Sequence, residues 1–179
     1  MTHSRTVLGL CGSLRAASIN HAVLRAAAAV APPTVRVELY PSLAGLPLFN
    51  PDLDATALAA VAQLRERIVT ADAVLIASPE YAHGVSGVIK NALDWLVGDD
   101  TWVNKPVAVL NTAPRSQHAH AALCETLRTM SARLIEGACV AIPILGSGLD
   151  ARGIASHAQH AASLRARFWP SPPSDSGAS

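Results

Sequence analysis

Five short apolar runs recur along the chain, at residues 7–11, 35–40, 73–77, 107–110 and 138–142. Four of them are nearly continuous in apolar residues, as strands buried on both faces must be. The run at 35–40 alternates instead, Val35, Val37 and Leu39 against Arg36, Glu38 and Tyr40. One of its faces meets solvent, so an edge position suits it. Between the runs lie longer amphipathic stretches with helical spacing, at 18–31, 55–70, 84–97, 116–134 and 151–168. Pro32 and Pro33 stop the first, because proline cannot continue a helix and disfavours it in the residue before. Asp54 and Asp150 stand where N-caps of the second and last belong, and Ser116 is a further candidate cap. Strict alternation of strand and helix predicts an α/β, three-layer sandwich around a five-stranded parallel sheet. Right-handed crossovers and the edge-like second strand favour the order 2-1-3-4-5.

Composition narrows this without changing it. The 179 residues suffice for one domain, expected over 1–169. The tail 170–179, rich in Pro, Ser and Gly, is expected to be disordered. Half the residues are hydrophobic and 15% are charged, as in an ordinary globule, and the formal net charge is +1. That balance argues against a nucleic-acid or membrane-surface partner, which needs a basic excess on one face. No apolar run near the N-terminus is long enough for an export signal or a membrane span. Cys11, Cys124 and Cys139 are far apart and odd in number, so no disulfide framework or zinc pairing follows, and a reducing cytoplasm is expected.

In an open parallel sheet, ligands bind beyond the carboxyl ends of the strands where the strand order reverses. The informative loops are those after residues 11, 77 and 110. The first carries Gly12 for a tight turn, the hydroxyls of Ser13 and Ser18, the Arg15 cation and the Asn20 amide, and runs into a helix start. Helix N-termini have free N–H groups and favour anions, so this set suits a terminal phosphate monoester. A dinucleotide fingerprint and a Walker loop are both absent. Cys11 and Arg15 stand too close in sequence for a cysteine-phosphatase loop, which leaves Cys11 as a core thiol. The second loop, 78–87, offers Pro79, Glu80 and Tyr81 to wall a flat heterocycle. The third, 111–116, could close the other side of the same crevice.

Gly12, Ser13, Leu14 and Arg15, then Ser18 and Asn20, together with 78–81 and 87–95, resemble the NADPH-dependent FMN reductase family. That family includes quinone, chromate and azo-dye reductases on a flavodoxin-like fold, and the resemblance covers about 6–145. It implies that Ser13, Arg15, Ser18 and Asn20, with Ile19 among them, hold the phosphate of FMN. Pro79, Glu80, Tyr81 and Gly84, with Ala82 among them, would line the isoalloxazine chiefly through backbone groups, and Thr112 would approach from the third loop. His83 and Arg115 become candidates for substrate contact. The resemblance further implies NADPH or NADH as donor, a small-molecule acceptor such as a quinone, and a homodimer or homotetramer. An FMN-binding electron carrier without NAD(P)H turnover is the alternative. The chain departs from the family at Ala82, where many members have Asn, and at Ser86, where many have Pro, which loosens the start of the next helix. Ala113, Pro114 and Arg115 stand where many members have glycines. These departures bear on substrate choice more than on the cofactor.

The remaining features have ordinary readings. Lys90 and Asp94 fit an i,i+4 pair, and Trp95 fits packing. Trp102 fits a surface anchor or a subunit contact. His118, His120, His157 and His160 read as solvated, no metal is expected, and no side chain is required as a catalytic acid or base because the flavin carries the chemistry.

Overall fold

The computed structural model describes residues 4–168 apart from 114, 116 and 140. The helix cap expected at Ser116 and the tail expected to be disordered at 170–179 lie outside the described residues. The elements in chain order are β1 (Arg5–Cys11), α1 (Ile19–Ala29), β2 (Val35–Leu39), α2 (Ala59–Thr70), β3 (Ala73–Ala77), β4 (Glu80–Tyr81), β5 (Gly84–Val85), α3 (Gly87–Asp94), β6 (Pro106–Leu110), α4 (Gln117–Thr129), β7 (Arg133–Leu134), α5 (Ala151–Ser156) and α6 (Ala158–Phe168). The main sheet is parallel in the order β2-β1-β3-β6-β7, which is the expected 2-1-3-4-5 once the small β4–β5 hairpin is set aside. Among the described residues, no helix is long and apolar enough to cross a membrane.

Period-two alternation in the strands divides the core between two helical layers. Leu8, Leu10, Val74, Ile76, Val107 and Val109 face α2, α3 and α4, while Val7, Cys11, Leu75, Ala77, Ala108 and Leu110 face α1, α5 and α6. Trp102, expected at the surface or a subunit contact, is instead 1% exposed within the first of these clusters. Trp95 is packing, as expected, and its Nε1 donates to the Pro47 carbonyl at 2.8 Å, tying the 41–51 connection to α3. The expected Lys90–Asp94 pair is formed.

Element ends differ from expectation for local reasons. Asp54 caps a 3-10 turn at Ala55–Ala57, accepting from Thr56 N at 2.8 Å, and extended Leu58 delays α2 to Ala59. The helix expected over 84–97 begins at Gly87, because 80–85 folds into the hairpin. Ser86 does not loosen that start: it is buried, and its Oγ caps α3 by accepting from Ile89 N at 3.4 Å. The fourth helix stops at Thr129, since Ser131 turns into the left-handed region and Arg133–Leu134 joins the sheet. The fifth run is therefore not a regular strand at 138–142. Glu136–Ala138 is a 3-10 turn, and Ala141 bridges Asn111. Its apolar side chains Ala138 and Ile142 are buried all the same, which is why the run reads as a strand. The last helix breaks at extended His157, whose ring stacks on His160 at 4.3 Å.

His120 corrects another expectation. It is half-buried, and burial pushes its pKa below the ordinary 6.5. The unfolded chain then binds more protons than the fold as pH falls below that value. Stability contributed by neutral His120 is present above pH 6.5 and lost on acidification. Thermal unfolding of His120→Gln should accordingly lose less Tm between pH 7.5 and about pH 5 than the parent.

Candidate functional site

The first loop starts where β1 and β3 are pressed together. Gly12 N donates to the Ala77 carbonyl at 2.8 Å, and a Cβ on Gly12 would lie 2.8 Å from Ser78 Cβ and 2.7 Å from Ile89 Cγ1. Only glycine fits that approach. Ser18 then caps α1, its Oγ accepting from His21 N at 3.4 Å, so the free N–H groups of the first helical turn face the loop. Ser13, Ser18 and Asn20 are all buried polar residues. The Thr112 hydroxyl donates to Asn20 Oδ1 at 3.2 Å, joining the first and third loops over 92 residues of sequence. Cys11 is largely buried at the floor of the loop, where burial pushes its thiol pKa up, the opposite of what a nucleophile needs.

A cavity of about 820 Å³ opens in front of this loop. It is lined by Ser13, Arg15, Ser18 and Ile19, by His21 and Arg25 further along α1, and by residues 40–44, Gly146 and residues 148–151. Arg15 makes no ion pair among the described residues, and the buried Nδ1 of His21 finds no hydrogen-bond partner. Two hydroxyls and a guanidinium without an ion pair among the described residues, around a helix N-terminus, fit a phosphate group. His21 and Arg25 were not singled out from sequence, although Ser18, His21 and Arg25 recur at helical spacing. The 146–151 wall was missed too; Gly146 and Gly148 at φ 84° and 69° are the signal it carries.

The second loop is a two-stranded hairpin whose turn residues, Ala82 and His83, sit at φ 50° and 61°. That is the backbone of a tight primed turn, here without glycine and therefore strained. Tyr81 is 57% exposed at its edge. Glu80 points its carboxylate away from the cavity: Oε2 accepts from Ala119 N in α4 at 2.8 Å, and Oε1 lies 3.3 Å from His83 Nδ1. The His83 ring also meets His118 edge-on at 4.4 Å, so it is held against α4. Pro79, Glu80, Tyr81, Ala82 and Gly84 do not line the large cavity, nor do Asn20 and Thr112. Arg115 is exposed at the third loop. Two sets therefore emerge, a large pocket at the start of α1 and a hairpin, linked through the Gly12–Ser78 approach. Glu80→Ala should cost about 1.5–3 kcal/mol, the range for a hydrogen bond to a charged group, and Glu80→Gln less, measured by urea unfolding.

The family model for NADPH-dependent FMN reductases matches residues 5–145. An NAD(P)H-dependent FMN reductase of Pseudomonas aeruginosa is 40% identical over 116 residues, 63% of this chain and 62% of that protein. A quinone reductase of Escherichia coli K12 is 39% identical over 113 residues, 61% of this chain and 60% of its own. The chain thus spans about three-fifths of the length of these relatives. Among solved structures, a flavoenzyme NAD(P)H:(acceptor) oxidoreductase from Paracoccus denitrificans aligns with a TM-score of 0.67 at 35% identity, over 73% of this chain and 74% of that one. The architecture is flavodoxin-like.

Proposed function

Because the chain belongs to the NADPH-dependent FMN reductase family, we propose that it is an NAD(P)H-dependent FMN oxidoreductase acting on a small acceptor. The observation that carries this reading is the pocket at the start of α1, lined by Ser13, Arg15, Ser18 and His21, where Arg15 makes no ion pair among the described residues. FMN, when bound, would supply the redox chemistry by which NADPH or NADH reduces a small acceptor such as a quinone, free flavin, azo compound or metal oxyanion.

The chain's own residues bind and orient. Arg15 and the N–H groups of the first turn neutralise the phosphate, while Ser13 and Ser18 supply hydroxyls, Asn20 an amide and Ile19 the helix start. Thr112 holds Asn20 in place from the third loop. The hairpin, through Pro79, Glu80, Tyr81, Ala82 and Gly84, walls the ring, with Glu80 anchoring it on α4. His83 and Arg115 stand at the acceptor side, and no side chain acts as a catalytic acid or base. The unit that does this is residues 1–169. A homodimer or homotetramer fits the exposed apolar residues Leu48, Phe49 and Val97 beside α3. A cytoplasmic location fits three cysteines that are all free thiols.

Steady-state NADPH oxidation with a quinone tests the reading. Turnover that depends on added FMN is expected; FMN binding with no turnover would make the protein an electron carrier instead.

A further inference from the structure

We propose that Cys124 and Cys139 form a reversible dithiol–disulfide site, separate from the flavin pocket, that is oxidised by a peroxide. The two cysteines lie in different elements, one on α4 and one just after the Glu136–Ala138 turn, yet they pack into one cluster, and each thiol is the largest influence on the other's ionisation. Both line a cleft of about 510 Å³ that also presents His120, Glu125, Arg128 and Glu136. The pair is asymmetric. Cys124 is buried, while Cys139 is half-buried and open to the cleft. His120 Nε2 lies 3.8 Å from Cys124 Sγ.

This arrangement separates an attacking thiol from a resolving one. The Cys124 S–H and the Val109 backbone N–H stabilise negative charge on Cys139 and push its pKa down to about 7, against burial and the Glu136 carboxylate. Cys124 moves up in response. Arg128 favours the thiolate, though Glu136 at 2.9 Å and Glu125 at 3.7 Å partly occupy its charge. An accessible thiolate of near-neutral pKa beside a second thiol is the environment in which sulfenic acid forms and condenses.

The Cys139 thiolate attacks one peroxide oxygen; the S–O bond forms as O–O breaks, and the departing hydroxide takes a proton to leave as water. Cys124, its proton passing to His120 Nε2, then attacks the Cys139 sulfur; S–S forms, S–O breaks, and the oxygen leaves as a second water. Two thiols and one peroxide thus become one disulfide and two waters, and exchange with a small thiol reverses the change. The disulfide ties α4 to the 141–145 segment, which hydrogen-bonds the third loop through Ile142 N to the Asn111 carbonyl at 2.7 Å and Leu145 N to the Thr112 carbonyl at 3.0 Å.

The test is treatment of the full-length FMN-loaded protein with hydrogen peroxide, followed by denaturing alkylation and peptide mass spectrometry. Of the three cysteines, only Cys11 should remain alkylatable. The peptides of Cys124 and Cys139 should appear linked and two hydrogens lighter, and dithiothreitol should restore all three thiols. Cys124→Ser should trap Cys139 as a dimedone-reactive sulfenic acid, and Cys139→Ser should leave Cys124 a thiol. Three thiols surviving oxidation, irreversible oxidation of Cys139 without a link, or a link joining two chains overturns the proposal. The parent protein alone decides this if a variant fails to fold. The thiol count does not depend on turnover, so its failure is distinguishable from failure of the reductase reading.

Discussion

Arg15→Ala weakens FMN binding by about 10- to 150-fold, the equivalent of one charge-assisted hydrogen bond of ~1.5–3 kcal/mol. Riboflavin, which lacks the phosphate, binds the variant and the parent equally. The reason is the geometry of the first loop. Arg15 stands at the mouth of the pocket with no ion pair among the described residues, so nothing inside the protein competes for its guanidinium. Its removal leaves the Ser18 cap and the fold untouched. Flavin fluorescence titration with both ligands measures the difference. An equal loss for FMN and riboflavin would show that Arg15 acts on the ring or on folding, not on the phosphate. Raised salt should reproduce part of the effect for FMN alone, because this attraction is screened.

Gly12→Ala acts on the same loop through packing, not charge. The added methyl would stand 2.8 Å from Ser78 Cβ and 2.7 Å from Ile89 Cγ1, closer than carbon atoms approach. Ser78 leads directly into the hairpin and Ile89 is 1% exposed in the core, so neither can simply rotate away. The ends of β1 and β3 must separate, at an expected cost of about 1–3 kcal/mol for overpacking. Because this junction aligns the phosphate pocket with the hairpin, FMN affinity should fall more than tenfold, and riboflavin affinity should fall with it. That joint loss distinguishes Gly12→Ala from Arg15→Ala in the same titration, and urea unfolding gives the stability change.

The sheet and the pocket were legible where information is local. Residues 7–11, 73–77 and 107–110 are short and apolar throughout, and each is bounded by a helical period. The parallel order follows from them and from the alternating edge strand. Ser13, Arg15 and Ser18 likewise lie in one short loop, and they line one pocket beside a capped helix start. What escaped depends on contacts between distant residues or on unusual backbone. Ala82 and His83 carry no glycine to announce a primed turn, so 84–97 reads as unbroken helix. Arg133–Leu134 is too short to show a period. The Glu80 carboxylate reaches α4 across 39 residues, an anchoring contact that no local pattern announces. Cys124 and Cys139 look unrelated until the turn at Glu136–Ala138 brings both to one cleft.

In the proposed function this pocket and hairpin hold a flavin that NAD(P)H can reduce. Anaerobic titration of the FMN-reconstituted protein with NADPH, followed in the visible flavin band, tests it most directly. Stoichiometric FMN binding and bleaching of the band as NADPH is added are expected. A protein that stays colourless after incubation with FMN, or whose bound flavin keeps its band in excess NADPH and NADH, would contradict it.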